Sequence, residues 1–180
     1  MKIGNKEFDT ANHCYVMGIL NVTNNSFSDG GKWNDLDRAL FHAEEMIRDG
    51  ADIIDVGGES THPGYTMISD EEEIGRVVPV IEKLRERFDT PISLDTYKSG
   101  VAKAGILAGA DMINDIWGLK FDPKMAEVIA KNHKTCCLMH NRKEPNYNHF
   151  MNDVLADLEE TLEIAQKAGI SYADICIDPG

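Results

Sequence analysis

The chain has 180 residues, 42% of them hydrophobic and 27% charged, which suits a folded core and excludes disordered, collagen-like and low-complexity architectures. The net charge of −13, without any run of five basic residues, argues against nucleic acid and anionic membranes as partners. Near the start, no apolar stretch is long enough for a membrane span or a signal peptide. The four cysteines form no C-x-x-C pair and lie beside apolar runs. We therefore expect a cytoplasmic protein with buried thiols.

Six short apolar runs predict six β-strands. The runs are continuous rather than alternating, which is typical of strands that are buried on both faces of a parallel sheet. They begin, in chain order, at Tyr15, Asp52, Pro91, Asp111, Thr135 and Ala173. A pattern of helix end, glycine, strand and acid or amide recurs at Gly50, Gly109 and Gly169, and its spacing of roughly 60 residues matches two βα units.

Five amphipathic segments predict helices between these strands, because apolar residues recur there at three- and four-residue spacing. Three of the helices have recognisable start signals. These signals are Asn34 as an N-cap, Ser69 with Glu72 as a capping box, and Asp122 followed by Pro123. The remaining two helices are expected at about 98–108 and 152–168.

Alternating strands and helices indicate an α/β protein with two candidate architectures. An open doubly wound sheet fits a chain of 180 residues better, because a (βα)₈ barrel needs about 250 residues. However, the chain contains neither G-x-G-x-x-G nor G-x-x-x-x-G-K-[ST], the usual nucleotide-binding fingerprints of open sheets. The residues alone leave both architectures open.

Polar residues follow the carboxyl ends of all six predicted strands. They are Asn21, Asp55 with Glu59, Asp95, Asn114 with Asp115, His140 with Asn141, and Asp178. In a barrel these ends converge on one mouth, which predicts a shared polar pocket. Asp95, Asn114 and Asp178 supply two carboxylates, which accept from adjacent N–H groups, and an amide, which donates and accepts. Such a set suits a planar, nitrogen-rich ring of the guanine or pterin kind.

Four blocks of this sequence resemble the bacterial dihydropteroate synthases, in the order and spacing of that family. The blocks are MGILNVTNNSFSDGG, GADIIDVGGESTHPG, ISLDTYKSGVAKAGILAGADMINDI and the terminal IDPG. The resemblance implies a (βα)₈ TIM barrel with about six of its eight βα units in this chain. It also implies a transferase of folate biosynthesis, which joins 6-hydroxymethyl-7,8-dihydropterin diphosphate to 4-aminobenzoate and releases diphosphate.

The resemblance implies roles for individual residues of the predicted pocket. Asp95, Asn114 and Asp178 would hold the pterin ring, and Asp95 would also support catalysis electrostatically. Asn21 would help to hold Mg²⁺ and the diphosphate, and Thr61 would contact the diphosphate. No covalent enzyme intermediate is required, so the absence of a Ser-His or Cys-His arrangement is consistent with this reaction.

The first loop of the chain departs from the family pattern. The family usually has Pro-Asp where this chain has Asn24 and Asn25. Since proline restricts the backbone, we expect a looser loop here. The corresponding family loop, represented here by Phe27, Ser28 and Asp29, closes over the site and helps to form the 4-aminobenzoate pocket.

The chain stops just after the sixth predicted strand, whereas the resemblance implies two further βα units. We therefore expect residues 1–180 to be a single, C-terminally incomplete barrel domain that binds pterin poorly and turns over little, and we expect a homodimer for the full-length protein. Two other functions stay open: a pterin-dependent methyltransferase acting on methyltetrahydrofolate, and a non-catalytic pterin-binding fragment. Release of diphosphate on mixing the substrates would distinguish the synthase from both.

A second departure predicts an effect of pH on diphosphate binding. The family usually has an arginine at the position of His62, where it contacts the diphosphate. Histidine is mostly neutral at pH 7 and lacks the guanidinium fork, so binding should be weaker here. We expect the affinity to rise below about pH 6.5, where the imidazole becomes charged. Binding titrations across this range test the effect, and an affinity that does not change with pH contradicts it.

Overall fold

The computed structural model describes residues 1–23, 32–60 and 66–180. A parallel six-stranded sheet with helices along one face dominates this part of the chain. The elements are β1 (Lys2–Ile3), β2 (Lys6–Glu7), β3 (Met17–Asn21), α1 (Lys32–Arg48), β4 (Ile53–Gly57), α2 (Asp70–Arg87), β5 (Ile92–Asp95), α3 (Ser99–Ala108), β6 (Met112–Asp115), α4 (Met125–Lys131), β7 (Thr135–Met139), α5 (Phe150–Ala168), a 3₁₀ turn (Tyr172–Asp174) and β8 (Ile175–Asp178).

The order of the strands in the sheet is the order of the chain, from β3 to β8. An open doubly wound sheet reverses its strand order at a switch point, and the strands described here run without such a reversal. Sequential parallel strands, each linked to the next through a helix, are the arrangement of a (βα)₈ barrel. The six predicted strands and the five helices between them are therefore confirmed within the described residues.

Two of the predicted helix starts need correction. α1 begins at Lys32, so Asn34 lies inside the helix and is not its N-cap. α4 begins at Met125, after a turn in which the Asp122 carboxylate accepts a hydrogen bond from the Lys124 N–H. The other Asp122 oxygen accepts from the backbone N–H of Ser99, at the start of α3. Asp122 therefore joins the starts of two helices. The Ser69 capping bond to the Glu72 N–H is present, at 3.2 Å.

Two separate apolar clusters cover the two faces of the sheet. The larger cluster packs the outer face against the helices and contains fully buried side chains such as Ile54, Leu94 and Leu138. The smaller cluster lies on the inner face near the amino ends of the strands, where Phe8 packs with Ile53 and its neighbours. The antiparallel hairpin of β1 and β2 contributes to this inner cluster. The sheet is thus buried at the amino end of its inner face, and its carboxyl end is left for polar groups.

The helices described in the structure include none that is long and apolar enough to cross a membrane.

Two helical glycines provide a matched test of the packing between α3 and the sheet. A methyl group on Gly105 in α3 would overlap the buried Leu94 side chain, whereas one on Gly75 in α2 would meet nothing within 4 Å. We expect Gly75→Ala to raise the free energy of unfolding by about 0.5–1 kcal/mol, since alanine favours helix. Gly105→Ala should lower it by about 1–3 kcal/mol through overpacking. Urea melts of both variants test this, and a stabilised Gly105→Ala variant would contradict the described packing.

Candidate active site at the carboxyl edge of the sheet

The strand register aligns three of the predicted site residues in one row. Asn21 is paired with Gly57, Gly57 with Asp95, and Asp95 with Asn114, across four adjacent strands. Residues at matching positions of parallel strands point to the same face, so these side chains all project from the inner face. The structure thereby brings together Asn21, Asp95 and Asn114, which are separated along the chain by up to 93 residues.

Gly57 leaves open space between the first two of these side chains. A Cβ atom on Gly57 would lie 3.1 Å from Oδ1 of Asn21 and 3.5 Å from Oδ2 of Asp95. The two oxygens therefore line a common space that any larger residue would fill. The space beside Gly57 thus has an oxygen acceptor on each side.

Asp55 lies two residues before Gly57 on the same face and positions the amide of Asn114. The Asn114 Nδ2 group donates a hydrogen bond of 3.0 Å to Oδ2 of Asp55. This contact fixes which end of the amide faces the sheet and which end faces the mouth. From the sequence, Asp55 is one of the strand-end polar residues without an assigned role. The two-residue period of a strand, counted back from Gly57, predicts that Asp55 lies on the same face.

The carboxyl group of Asp95 is buried and incompletely hydrogen-bonded. Its Oδ1 atom has no hydrogen-bond partner among the residues the structure describes, and the same holds for Oδ1 of Asp55. Burial, followed by the negative charges of Asp55 and other nearby acids, raises the pKa of Asp95 to about 8. Burial also raises the pKa of Asp55. Asp95 therefore carries a proton at neutral pH unless a ligand supplies hydrogen-bond donors.

Asp178 lies at the end of β8, on the same inner face and beside Met139 of β7. Its Oδ1 accepts a hydrogen bond of 2.9 Å from the Gly180 N–H, and its backbone carbonyl accepts one from the His140 N–H. The side chain is half-buried. Asp178 thus lies on the inner face two residues closer to the carboxyl ends of the strands than the row of Asn114, with Met139 as an apolar neighbour.

Three of the strand-end residues do not join this row. Asp115 points to the helix side, where its carboxylate accepts hydrogen bonds from the backbone N–H groups of Trp117 and Leu119. Burial raises its pKa to about 6. His140 is buried with its Nε2 atom 3.0 Å from Asp157 of α5. The predicted pocket therefore does not include every polar residue that follows a strand.

Glu59, the third of these residues, belongs to a buried ion cluster behind the row. Lys98 Nζ donates to Glu59 at 2.6 Å, to Glu73 at 2.8 Å and to the carbonyl oxygen of Ile68 at 2.8 Å. Tyr97 also donates to Glu59. All three protons of the ammonium group are used, so the cluster joins the loops that follow β4 and β5 to α2. Lys98 is not recognisable from the sequence, because nothing in its local pattern distinguishes it from a surface lysine.

The oxygen donors of the row suit a hard cation better than a softer metal. Magnesium takes oxygen ligands and commonly keeps several waters while binding substrate phosphates. In the described ranges there is no cluster of three or more His, Cys, Asp or Glu side chains that could enclose a metal ion. Asn21, with its amide oxygen beside the space at Gly57, fits an ion that is held mainly by phosphate and water.

The other predicted contacts fall outside the described residues. These are Thr61 and His62 after β4, and Asn24, Asn25, Phe27, Ser28 and Asp29 after β3. Their roles, including the contact of Thr61 with diphosphate, remain predictions.

Comparison with known proteins identifies relatives over the whole chain. A profile of the pterin binding enzyme family matches residues 17–180. A dihydropteroate synthase of Clostridium beijerinckii is 58% identical over 180 residues, which are 100% of this chain and 67% of that protein.

Solved structures give the same result. A Clostridium difficile dihydropteroate synthase, crystallised in the presence of pteroic acid, superposes with a TM-score of 0.94 at 47% identity and covers 97% of this chain and 66% of its own. A Xanthomonas albilineans dihydropteroate synthase with 4-aminobenzoic acid gives 0.88 at 41% identity, covering 94% and 62%. These likenesses confirm the predicted barrel-type fold. This chain spans about two thirds of the length of the proteins it matches.

The raised pKa of Asp95 predicts a specific dependence of stability on pH. Because the folded-state pKa of about 8 exceeds the ordinary value of 3.8, the contribution of Asp95 to the free energy of unfolding should fall as pH rises between these values, by at most about 1.4 kcal/mol per pH unit. Asp95→Asn removes this ionisation. We therefore expect its advantage in free energy of unfolding over the natural chain to widen from pH 4 to pH 8 and then level off.

Urea melts at several pH values measure this difference. The exposed Asp37 of α1 provides a control, since Asp37→Asn should give no comparable widening. An Asp95→Asn advantage that is constant with pH would contradict the burial of an ionisable group at this position.

Proposed function

This chain belongs to the family of pterin binding enzymes, and we propose that it forms the pterin-binding part of a dihydropteroate synthase. The proposed reaction joins 6-hydroxymethyl-7,8-dihydropterin diphosphate to 4-aminobenzoate, giving 7,8-dihydropteroate and diphosphate. The observation that carries the proposal is the buried carboxyl group of Asp95, whose Oδ1 lacks a partner in the described chain and which lies beside the amide of Asn114.

A pterin ring offers the groups that this pair lacks. Adjacent N–H donors on one edge of a planar heterocycle can pair with both oxygens of a carboxylate. The amide of Asn114 can form hydrogen bonds with a neighbouring donor and acceptor of the ring. Because Asp55 accepts a hydrogen bond from the Asn114 amide, the orientation of this amide is fixed before the ring binds. Donors brought by the ring stabilise the ionised form of Asp95, so binding at neutral pH releases a proton from the carboxyl group.

Asp178 and Met139 extend the proposed contact with the ring. The carboxylate of Asp178 lies on the same face, one strand beyond Met139, and can accept from a further N–H group. The thioether of Met139 is a polarisable apolar surface against which a flat ring can pack. The proposed cradle for the ring therefore consists of Asp95, Asn114, Asp178 and Met139. The first three supply hydrogen-bonding groups along one edge, and Met139 supplies an apolar surface.

Asn21 would hold the diphosphate end of the substrate together with Mg²⁺. Asn21 stands on the opposite side of Gly57 from Asp95, so the diphosphate would lie near the carboxyl ends of β3 and β4. Mg²⁺, when bound, would neutralise charge on the departing diphosphate. Thr61 follows β4 in sequence and is proposed as a further diphosphate contact.

The chemical step is departure of diphosphate and attack by the arylamine. The C–O bond between the pterin methylene and the diphosphate breaks, and the electron pair leaves with the diphosphate. The positive charge that develops on the methylene and ring is stabilised by the ionised Asp95 carboxylate, which acts strongly because it is buried. The amine of 4-aminobenzoate then forms the C–N bond and loses a proton. None of these steps needs a covalent bond to the protein.

The proposal is tested with a chimera, because this chain spans 67% of its Clostridium beijerinckii relative. Residues 1–180 are joined to the remaining part of that relative, and the release of diphosphate and the formation of dihydropteroate are measured together. We expect product in stoichiometric yield with diphosphate. Asp95→Asn in the chimera should reduce kcat/KM by about 100-fold or more, which corresponds to the loss of about 3 kcal/mol of charge stabilisation.

Asp37→Asn serves as the matched control, since it replaces an exposed acid by its amide and should leave turnover unchanged. Far-UV circular dichroism establishes that each chimera is folded. A folded chimera that binds pterin but releases no diphosphate would support a binding function instead of the synthase. Turnover that is unaffected by Asp95→Asn would contradict the assigned role of this residue.

A further inference from the structure

Two cysteines face each other across adjacent strands directly below the proposed cradle. Cys137 of β7 and Cys176 of β8 are paired in the parallel register, in the same row as Asn114. Both side chains point to the inner face, because each lies two residues before another inner-face residue, Met139 or Asp178. Neighbouring strands are about 4.8 Å apart, so the two thiols can reach the same bound atom.

The thiols interact with each other and not with the helix side of the sheet. A hydrogen bond between them lowers the pKa of Cys176 and raises that of Cys137. Cys176 is exposed and Cys137 is half-buried against the inner apolar cluster. Cys136, one residue earlier, points outward and is fully buried in the other cluster. The prediction of buried thiols is therefore confirmed for Cys136, holds only in part for Cys137, and is wrong for Cys14 and Cys176.

The number of ligands that a metal or metalloid requires decides what these two thiols can bind. Structural zinc sites need four protein ligands, and no group of even three suitable side chains occurs in the part of the chain that is described. An organic trivalent arsenical carries one carbon substituent and needs only two sulfur ligands. Soft, thiol-seeking centres prefer thiolate sulfur over the oxygen donors that dominate the row above.

We propose that Cys137 and Cys176 form a dithiol binding site for trivalent organic arsenicals at the floor of the inner face. In the binding step, an arsenoxide R–As=O reacts with the two thiols to give R–As(S–Cys)₂ and one water molecule. Two As–S bonds form, the As–O bond breaks, and both thiol protons leave on the oxygen. No electrons are transferred, so the site needs neither an oxidant nor a reductant.

Occupation of this site should compete with the pterin ring, an effect that rests on the proposed function. The substituent on arsenic would project from the row of Asn114 toward Asp178 and Met139, which are the proposed ring contacts. Formation of the adduct itself depends only on the two thiols. The two effects can therefore be measured separately.

Phenylarsine oxide is the probe, added to the full 180-residue chain and followed by intact mass. We expect one adduct per chain that resists excess 2-mercaptoethanol and is removed by 2,3-dimercaptopropanol, because only a dithiol competes with a chelate. Cys176→Ser should weaken binding by about 100-fold, the usual advantage of two linked contacts. Since Cys176 is exposed, this substitution should leave the fold intact, as a thermal melt would show.

Cys14→Ser removes the other exposed thiol and is the matched control, with binding expected to stay unchanged. A dithiol-specific adduct that persists in Cys176→Ser, or one that 2-mercaptoethanol removes from the natural chain, would overturn the site. Adduct formation that leaves the affinity for pterin unaltered would retain the arsenical site and reject only its link to the proposed function.

Discussion

Burial of acidic side chains at the carboxyl edge of the sheet is the constraint around which this structure is organised. A carboxylate removed from water must gain hydrogen bonds, gain an opposite charge or take up a proton. Asp115 receives two backbone N–H groups, and Asp55 receives the Asn114 amide. Asp95 is left with an unpartnered oxygen among the described residues and with other acids around it. The fold therefore holds the carboxyl group of Asp95 in a state that an N–H-rich ligand improves.

The buried lysine nearby does not relieve this constraint. Lys98 is only three residues after Asp95, but its ammonium group is held by Glu59, Glu73 and a backbone carbonyl. Two carboxylates around one ammonium leave the cluster with a net negative charge, and both acids contribute to raising the pKa of Asp95. Removing Lys98 would leave two buried acids without a counter-ion and would break the contacts that join Glu59 and Ile68 to α2. Lys98 thus stabilises its own cluster with Glu59 and Glu73, while the negative charge around Asp95 is not neutralised.

Much of the fold was predictable because continuous apolar runs and amphipathic spacing are local signals. The strand register was not predictable, since it depends on packing between segments that are far apart in sequence. That register decides that Asn21, Asp95 and Asn114 share a row and that Asp55, two residues before Gly57, supports them. Asp115 looked equivalent to Asn114 from the sequence, yet one residue of displacement along a strand turns a side chain to the opposite face.

Short and non-local features account for the remaining differences. Strands β1 and β2 have two residues each, Lys2–Ile3 and Lys6–Glu7, so neither carries a periodic pattern. Their position is fixed by the packing of Phe8 and Ile3 onto the inner cluster. Asp122 was recognised as a capping residue, but its bond to the Ser99 N–H across 23 residues could not be read from local sequence. Periodicity alone places Asp95, Asn114 and Asp178 among the strand-end polar residues. Their assignment as ring contacts rests on the resemblance to a known family.

The separation of the two apolar clusters has an evolutionary consequence. Most of the buried apolar side chains lie between the sheet and its helices, on the face opposite the proposed ring-binding residues. Under the proposed function, substitutions around Asn114 and Met139 on the inner face would therefore alter ligand selectivity while the packing of the outer face is retained. A lineage exposed to a toxic mimic of the proposed ligand could then accumulate many such replacements while the polypeptide still folds.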